Sequence, residues 1–260
     1  MSAFTIESRN RTVAALNPVS KLAAALLLAA VLVLTLDWVS AATALALEAL
    51  LFPFAGLTAR QFWVRTAAVW IAAPLAAITI TLYGQPSGAH YFSWLLIDVT
   101  DGSIALAIAT LLRILAIGLP AVVLFVTIDP TDLADGLAQV VRLPSRFVLG
   151  ALAGLRLVGL FLDDWRSLEL ARRARGVADQ GRIRRLAGQA FALLVLSIRR
   201  GTKLATAMEA RGFGSPVKRT WARESRFGRN EWLLIALGAA IGAIAVTAAV
   251  VAGEWNFVVG

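Results

Sequence analysis

"FVLGALAGLRLVGLFL", residues 147–162, is sixteen residues of almost unbroken apolar sequence with Arg156 near its middle. Whether it crosses a membrane decides between a seven-span and a five-span chain. A span needs about 20 mainly apolar residues, and shorter runs are more often buried or interfacial helices. A companion run, "LAGQAFALLVLSI" at 186–198, has thirteen. If both crossed, Arg166, Arg172, Arg173, Arg175, Arg182, Arg184 and Arg185 would all lie outside. That opposes the retention of Lys and Arg on the cytoplasmic side. Both runs are therefore read as parts of two long cytoplasmic or interfacial helices, about 145–176 and 183–212.

The rest of the chain is read around that choice. It has 260 residues, is 59% apolar, and its mean hydropathy is +0.76. These values belong to an integral membrane protein. The expected spans are about 21–36, 38–57, 64–83, 103–127 and 231–252. The fold class is therefore all-α and polytopic, with about five transmembrane helices and two to three cytoplasmic helices between the fourth and fifth. The expected domains are 1–127, 128–230 and 231–260. Residues 83–103, with Tyr83, Tyr91 and Trp94, read as an outer loop at the membrane interface. The N-terminus is polar for too long to resemble a cleaved leader.

The excess charge is confined to one block. Residues 128–231 hold 19 of the 25 Lys and Arg and 10 of the 16 Asp and Glu, which is the whole net +9. Arg9, Arg11, Lys21, Arg60 and Arg65 lie on the same side as that block, and the other connections carry no Lys or Arg. This places the N-terminus in the cytoplasm and the C-terminus outside.

Inside the block a unit recurs at an offset of 36 residues. Leu168, Ala171, Ala174, Arg175 and Gly176 fall on Leu204, Ala207, Ala210, Arg211 and Gly212. Positions i, i+3 and i+7 share a helix face, so each end presents a small apolar ridge tipped by a cation. The glycine that follows suits a C-cap. Glu169 and Arg173 are spaced for an i, i+4 ion pair. Two ordinary capped helix ends would share these features. Two copies with matched neighbours read instead as plugs for two similar sockets, where an Arg grips a carboxylate bidentately.

The paired "LARRARG" and "AMEARGFG" ends resemble the transmembrane coupling component of energy-coupling factor (ECF) transporters, the EcfT/CbiQ family. "LNPVSKLAAALLL" (16–28) is similar to that family's Leu-x-Pro-x-x-Lys-Leu start of the first span. "VTIDPTDLADGL" (126–137) is similar to its Thr-x-Asp-Pro approach to the cytoplasmic region, with Ile128 where a second Thr often stands. "LPSRFVLGALAGLRLV" resembles its first coupling helix. The resemblance runs from residue 16 to about 214. It implies that Ala174, Arg175, Gly176, Ala210, Arg211 and Gly212 bind grooves on two ABC-type ATPase subunits. It also implies a separate substrate-binding membrane subunit, uptake of a vitamin or transition-metal ion, and a bacterial or archaeal type of cell membrane.

Several features bound the chemistry. There is no phosphate-binding G-x-x-x-x-G-K-[ST] loop, so ATP would be bound by partner subunits and no cofactor is expected here. There is no cysteine and a single histidine, His90, so neither a thiolate nor a zinc site is expected. Nothing suggests a catalytic residue, and the chain is read as a non-enzymatic subunit. Glu48 and Arg113 lie within spans and are read as an intramembrane charged pair. Pro74 and Pro120 are expected to kink their spans. "GALAG" (150–154) and "GAAIG" (238–242) fit close helix packing. The basic, aromatic segment 215–232 reads as lipid-facing rather than nucleic-acid-binding. A self-sufficient secondary transporter is the alternative function, although no inverted repeat is visible.

Overall fold

Asn17 starts the first helix. Its Oδ1 accepts from the Val19 amide at 3.0 Å and Pro18 follows at the first helical position, where a missing N–H costs nothing. In the computed structural model that helix is α1, Pro18–Val33. It is followed by α2 (Trp38–Leu51), a 3-10 turn (Phe52–Ala55) and α3 (Ala59–Tyr83). Next come β1 (His90–Trp94), β2 (Ile97–Thr100), α4 (Asp101–Val126), α5 (Pro130–Gln139), α6 (Ser145–Ala174), α7 (Arg182–Ala210) and α8 (Arg229–Ala252). The structure describes residues 13–255 except 14, 36, 85, 95–96, 177–180 and 216–219.

The chain divides into two units. Among the described residues, one contains those up to 133 and from 225 onward, and the other contains those within 134–224. In the first, α1 packs on α8 and α4, α2 packs on α4 and α8, and α3 packs on α4. Leu28, Leu32, Ala44, Ala116, Ile241 and Ala245 form its main cluster. Small residues let two of these helices approach closely. A Cβ on Gly238 would sit 2.9 Å from the Ala24 carbonyl oxygen, and one on Gly242 would sit 3.2 Å from Val31 Cγ2. The "GAAIG" pattern therefore does what its spacing predicts. The "GALAG" pattern does not: a Cβ at Gly150 or Gly154 would meet nothing within 4 Å.

Among the described residues, five helical stretches are long and apolar enough to cross a membrane: Trp38–Ala55, Ala59–Tyr83, Asp101–Val126, Ser145–Ala174 and Arg229–Ala252. This set differs by one member from the sequence expectation. α1 is apolar but only 16 residues long, and α6 qualifies because its apolar run continues into a 30-residue helix. α1 is nonetheless integral to the helix bundle, whereas α6 belongs to the 134–224 unit. The expected outer loop also holds a short antiparallel hairpin, β1 against β2, in which exposed His90 pairs with Asp98 at 2.9 Å. Both α3 and α4 continue through Pro74 and Pro120 without interruption.

Candidate functional site

The two Ala-Arg-Gly sequences close the two long helices of the 134–224 unit. α6 ends at Ala174 and α7 at Ala210, with Arg175 and Arg211 as the C-caps. Gly176 and Gly212 then turn to φ +68° and +75°. That left-handed conformation favours a residue without Cβ. At the second end the Gly212 amide donates to the Glu209 carbonyl, and the Phe213 amide donates to the Met208 carbonyl, both at 2.9 Å. These are the paired bonds of a Schellman ending. At the first end the Gly176 amide donates to the Arg173 carbonyl at 3.0 Å, and Glu169 Oε1 holds Arg173 Nη2 at 2.6 Å.

The two helices pack antiparallel. Arg172 Nη1 reaches the Arg185 carbonyl at 3.4 Å, and Arg200 Nη2 donates to Asp164 Oδ1 at 3.0 Å. Farther along, Leu149, Leu152 and Leu157 face Leu204, Met208 and Arg211 across a cleft of about 630 Å³. Arg175 and Arg211 therefore stand at opposite ends of the hairpin, roughly 35 Å apart at the helical rise of 1.5 Å per residue. Ala174, Arg175, Gly176, Ala210, Arg211 and Gly212 are all exposed. Ala171 and Ala207 are exposed as well, while Leu168 and Leu204 are half-buried. Among the described residues neither Arg175 nor Arg211 forms an ion pair. Among the described residues each tip is thus a cation without an ion-pair partner, on a short small-residue ridge.

The expected Glu48–Arg113 pair does not form. Arg113 Nε donates to the Leu32 carbonyl at 3.0 Å, and Arg113 Nη2 donates to the Thr35 carbonyl. Arg113 thereby caps the C-terminal end of α1, where orphan carbonyls and the helix dipole attract a cation. Glu48 lies near the opposite end of α2. It is 3% exposed and its two oxygens have no hydrogen-bond partner among the described residues. It borders an apolar cavity of about 150 Å³ with Ala24, Leu28, Pro120 and Ile241. The two charges fail to meet because they sit at different depths of the bundle.

Lys21 and Asn17, both within the stretch 16–28, make long-range contacts. Lys21 is 1% exposed, and its Nζ donates to the Thr127 carbonyl at 3.2 Å and to Thr127 Oγ1 at 3.0 Å. Asn17 Nδ2 donates to Ser225 Oγ at 2.8 Å and to the Arg226 carbonyl at 2.9 Å. The backbone amide of Asn17 also reaches Glu231 Oε1 at 3.4 Å. The one sequence signal for this was the Asn-Pro-x-x-Lys spacing, which puts the two side chains one helical turn apart. The segment 215–232 is also corrected in part. Trp221 packs against the Ala134, Ala138 and Val148 cluster rather than standing free, and residues 216–219 lie outside the described residues.

Comparison with known proteins bears on these features together. Residues 9–221 match the sequence profile of the CbiQ family, described as cobalt transport protein. The chain is 29% identical over 182 residues to the energy-coupling factor transporter transmembrane protein EcfT of Limosilactobacillus fermentum, covering 65% of this chain and 67% of that one. It is 27% identical over 213 residues to EcfT of Exiguobacterium sibiricum, covering 76% and 81%. It is 31% identical over 129 residues to EcfT of Bacillus selenitireducens, covering 45% and 48%.

Proposed function

This chain belongs to the EcfT/CbiQ family of energy-coupling factor transporter transmembrane proteins, and from that premise we propose that it passes ATP-driven movement from two ATPase subunits to a separate substrate-binding membrane subunit. The observation that carries this reading is the pair of exposed Ala-Arg-Gly ends at opposite ends of one helical hairpin. Two matched plugs roughly 35 Å apart suit two sockets on two similar subunits. Each guanidinium offers a planar fork to a carboxylate, and the adjacent Ala and Gly allow close approach. A change in socket spacing would then act on α6 and α7 as levers. The cargo is a vitamin or a transition-metal ion, selected by the substrate-binding subunit. The N-terminus and residues 134–224 are cytoplasmic and the C-terminus is outside, in agreement with the charge distribution.

The test is coexpression with the ATPase subunits, followed by pull-down and ATP-driven uptake, for wild type, Arg175→Glu, Arg211→Glu and the double variant. Reversing a buried interfacial charge costs several kcal/mol, so each single variant should weaken ATPase capture by about a hundredfold or more. The double variant should abolish uptake while the chain still inserts. Retention of the ATPases by the double variant, or uptake by the chain alone, would overturn the reading. Uptake by the chain alone would favour a secondary transporter.

A further inference from the structure

Among the described residues the chain leaves the helix bundle near residue 133 and re-enters it near residue 225. The exit begins where α4 ends at Val126, Thr127 caps it, and α5 starts at Pro130. Asp129 Oδ1 accepts from the Thr131 amide at 2.8 Å, so helix termination and restart take only three residues. It returns through Ser225–Gly228, where Glu231 Oε2 accepts from the Gly228 amide at 2.8 Å to start α8. Both crossings are held by the same turn of α1. Lys21 binds the first through two oxygens of Thr127, with the Asp132 charge close by. Asn17 binds the second through Ser225 and Arg226, and its amide binds Glu231.

A lysine this buried is costly unless its ammonium is hydrogen-bonded, so Thr127 and Lys21 hold each other firmly. Capping α1 requires only the Oδ1 of Asn17, which leaves the Nδ2 bonds as a second task. We infer that the Asn17–Lys21 turn is a double clamp, a positioning element that joins both crossing points to α1. Movement arriving from residues 134–224 is then delivered to α1 and its neighbours α4 and α8, instead of being absorbed by swivelling at residues 127–130 or 225–228. The transport consequence rests on the coupling reading above. The clamp itself does not.

Substitutions can separate the clamp from ordinary stability. Lys21→Met removes the donor and keeps the length, and Lys21→Arg keeps a cation. Asn17→Asp keeps the cap acceptor and loses the Nδ2 donor. The chain has no cysteine, so introduced pairs can be spin-labelled without background. Labels at Leu26→Cys and Thr131→Cys report the first crossing, and labels at Leu26→Cys and Asn230→Cys report the second. Pulsed EPR of the full chain in nanodiscs should show the first distance distribution broadening in Lys21→Met with the second unchanged. Asn17→Asp should do the reverse. In proteoliposomes holding the whole complex, each variant should keep ATP hydrolysis within about twofold while uptake per ATP falls about tenfold, within the usual range of coupling energies. Lys21→Arg should recover most of that loss. Unchanged EPR widths would overturn the clamp, and broadened widths with an unchanged uptake-to-hydrolysis ratio would overturn its role in delivering movement. Broadening in the variants as expected, together with a wild-type complex that never supports ATP-driven uptake, would sustain the clamp and sink the coupling reading.

Discussion

The bundle and the 134–224 unit contain similar residues and treat them oppositely. In the bundle, alanines and glycines are interleaved with Leu28, Leu32, Leu115 and Leu119, and Asn17, Lys21 and Arg113 reach fixed partners on other segments. In the other unit the long α6 buries only Val148 fully, and α7 leaves Phe191, Leu194, Val195 and Ile198 each more than half exposed. The bundle's outward Leu and Ile face lipid, as in any membrane protein. In the 134–224 unit the exposed apolar faces lie instead in a segment rich in arginine.

The largest expected effect is at the glycines. Gly238→Leu drives a side chain into the Ala24 backbone, where even a Cβ is too close at 2.9 Å. A loss of about 3 kcal/mol or more is expected, comparable with severe overpacking. It should be visible as failure to fold or as a steep fall in thermal midpoint in detergent. Gly150→Leu, in the same sequence pattern, should cost nothing, because that site is open. Equal damage from both substitutions would break the comparison.

The buried charges come next. Arg113→Leu strips the C-terminal end of α1 of a cationic cap, at about 1.5–3 kcal/mol. Glu48→Leu removes a carboxyl with no described partner and fills apolar space, so it should leave stability unchanged or raise it by about 1 kcal/mol. The opposite signs are the informative result. Parallel losses, with rescue on exchanging the two residues, would restore the discarded ion pair.

These outcomes follow what the sequence could and could not reveal. The helix ends at Gly176 and Gly212 and the Glu169–Arg173 pair depend on local spacing, and local spacing is visible in a sequence. Arg113 binds the carbonyls of Leu32 and Thr35 about 80 residues away, and Lys21 binds a carbonyl at Thr127. A main-chain acceptor has no letter in a sequence, so both long cations invited pairing with the nearest acid or none. The two small-residue patterns read alike, and only packing separates them. α6 was legible: the helix expected at about 145–176 is observed as Ser145–Ala174.

The smallest effect tests the docking tips by themselves. Gly176→Ala and Gly212→Ala add a methyl in open space, since the nearest described neighbour of a Cβ is none at 176 and Ser215 Oγ at 3.7 Å at 212. Only the left-handed backbone opposes them, at about 1 kcal/mol each. The thermal midpoint of the bundle should therefore not move, because neither glycine packs against it. The last turns of α6 and α7 should fray locally, raising hydrogen exchange at residues 172–176 and 208–213 by about fivefold. ATPase capture should weaken by a similar factor, since a frayed tip must be ordered before it can dock. If capture falls while exchange at the tips stays as in wild type, the glycines matter for close approach to the partner rather than for ending the helix.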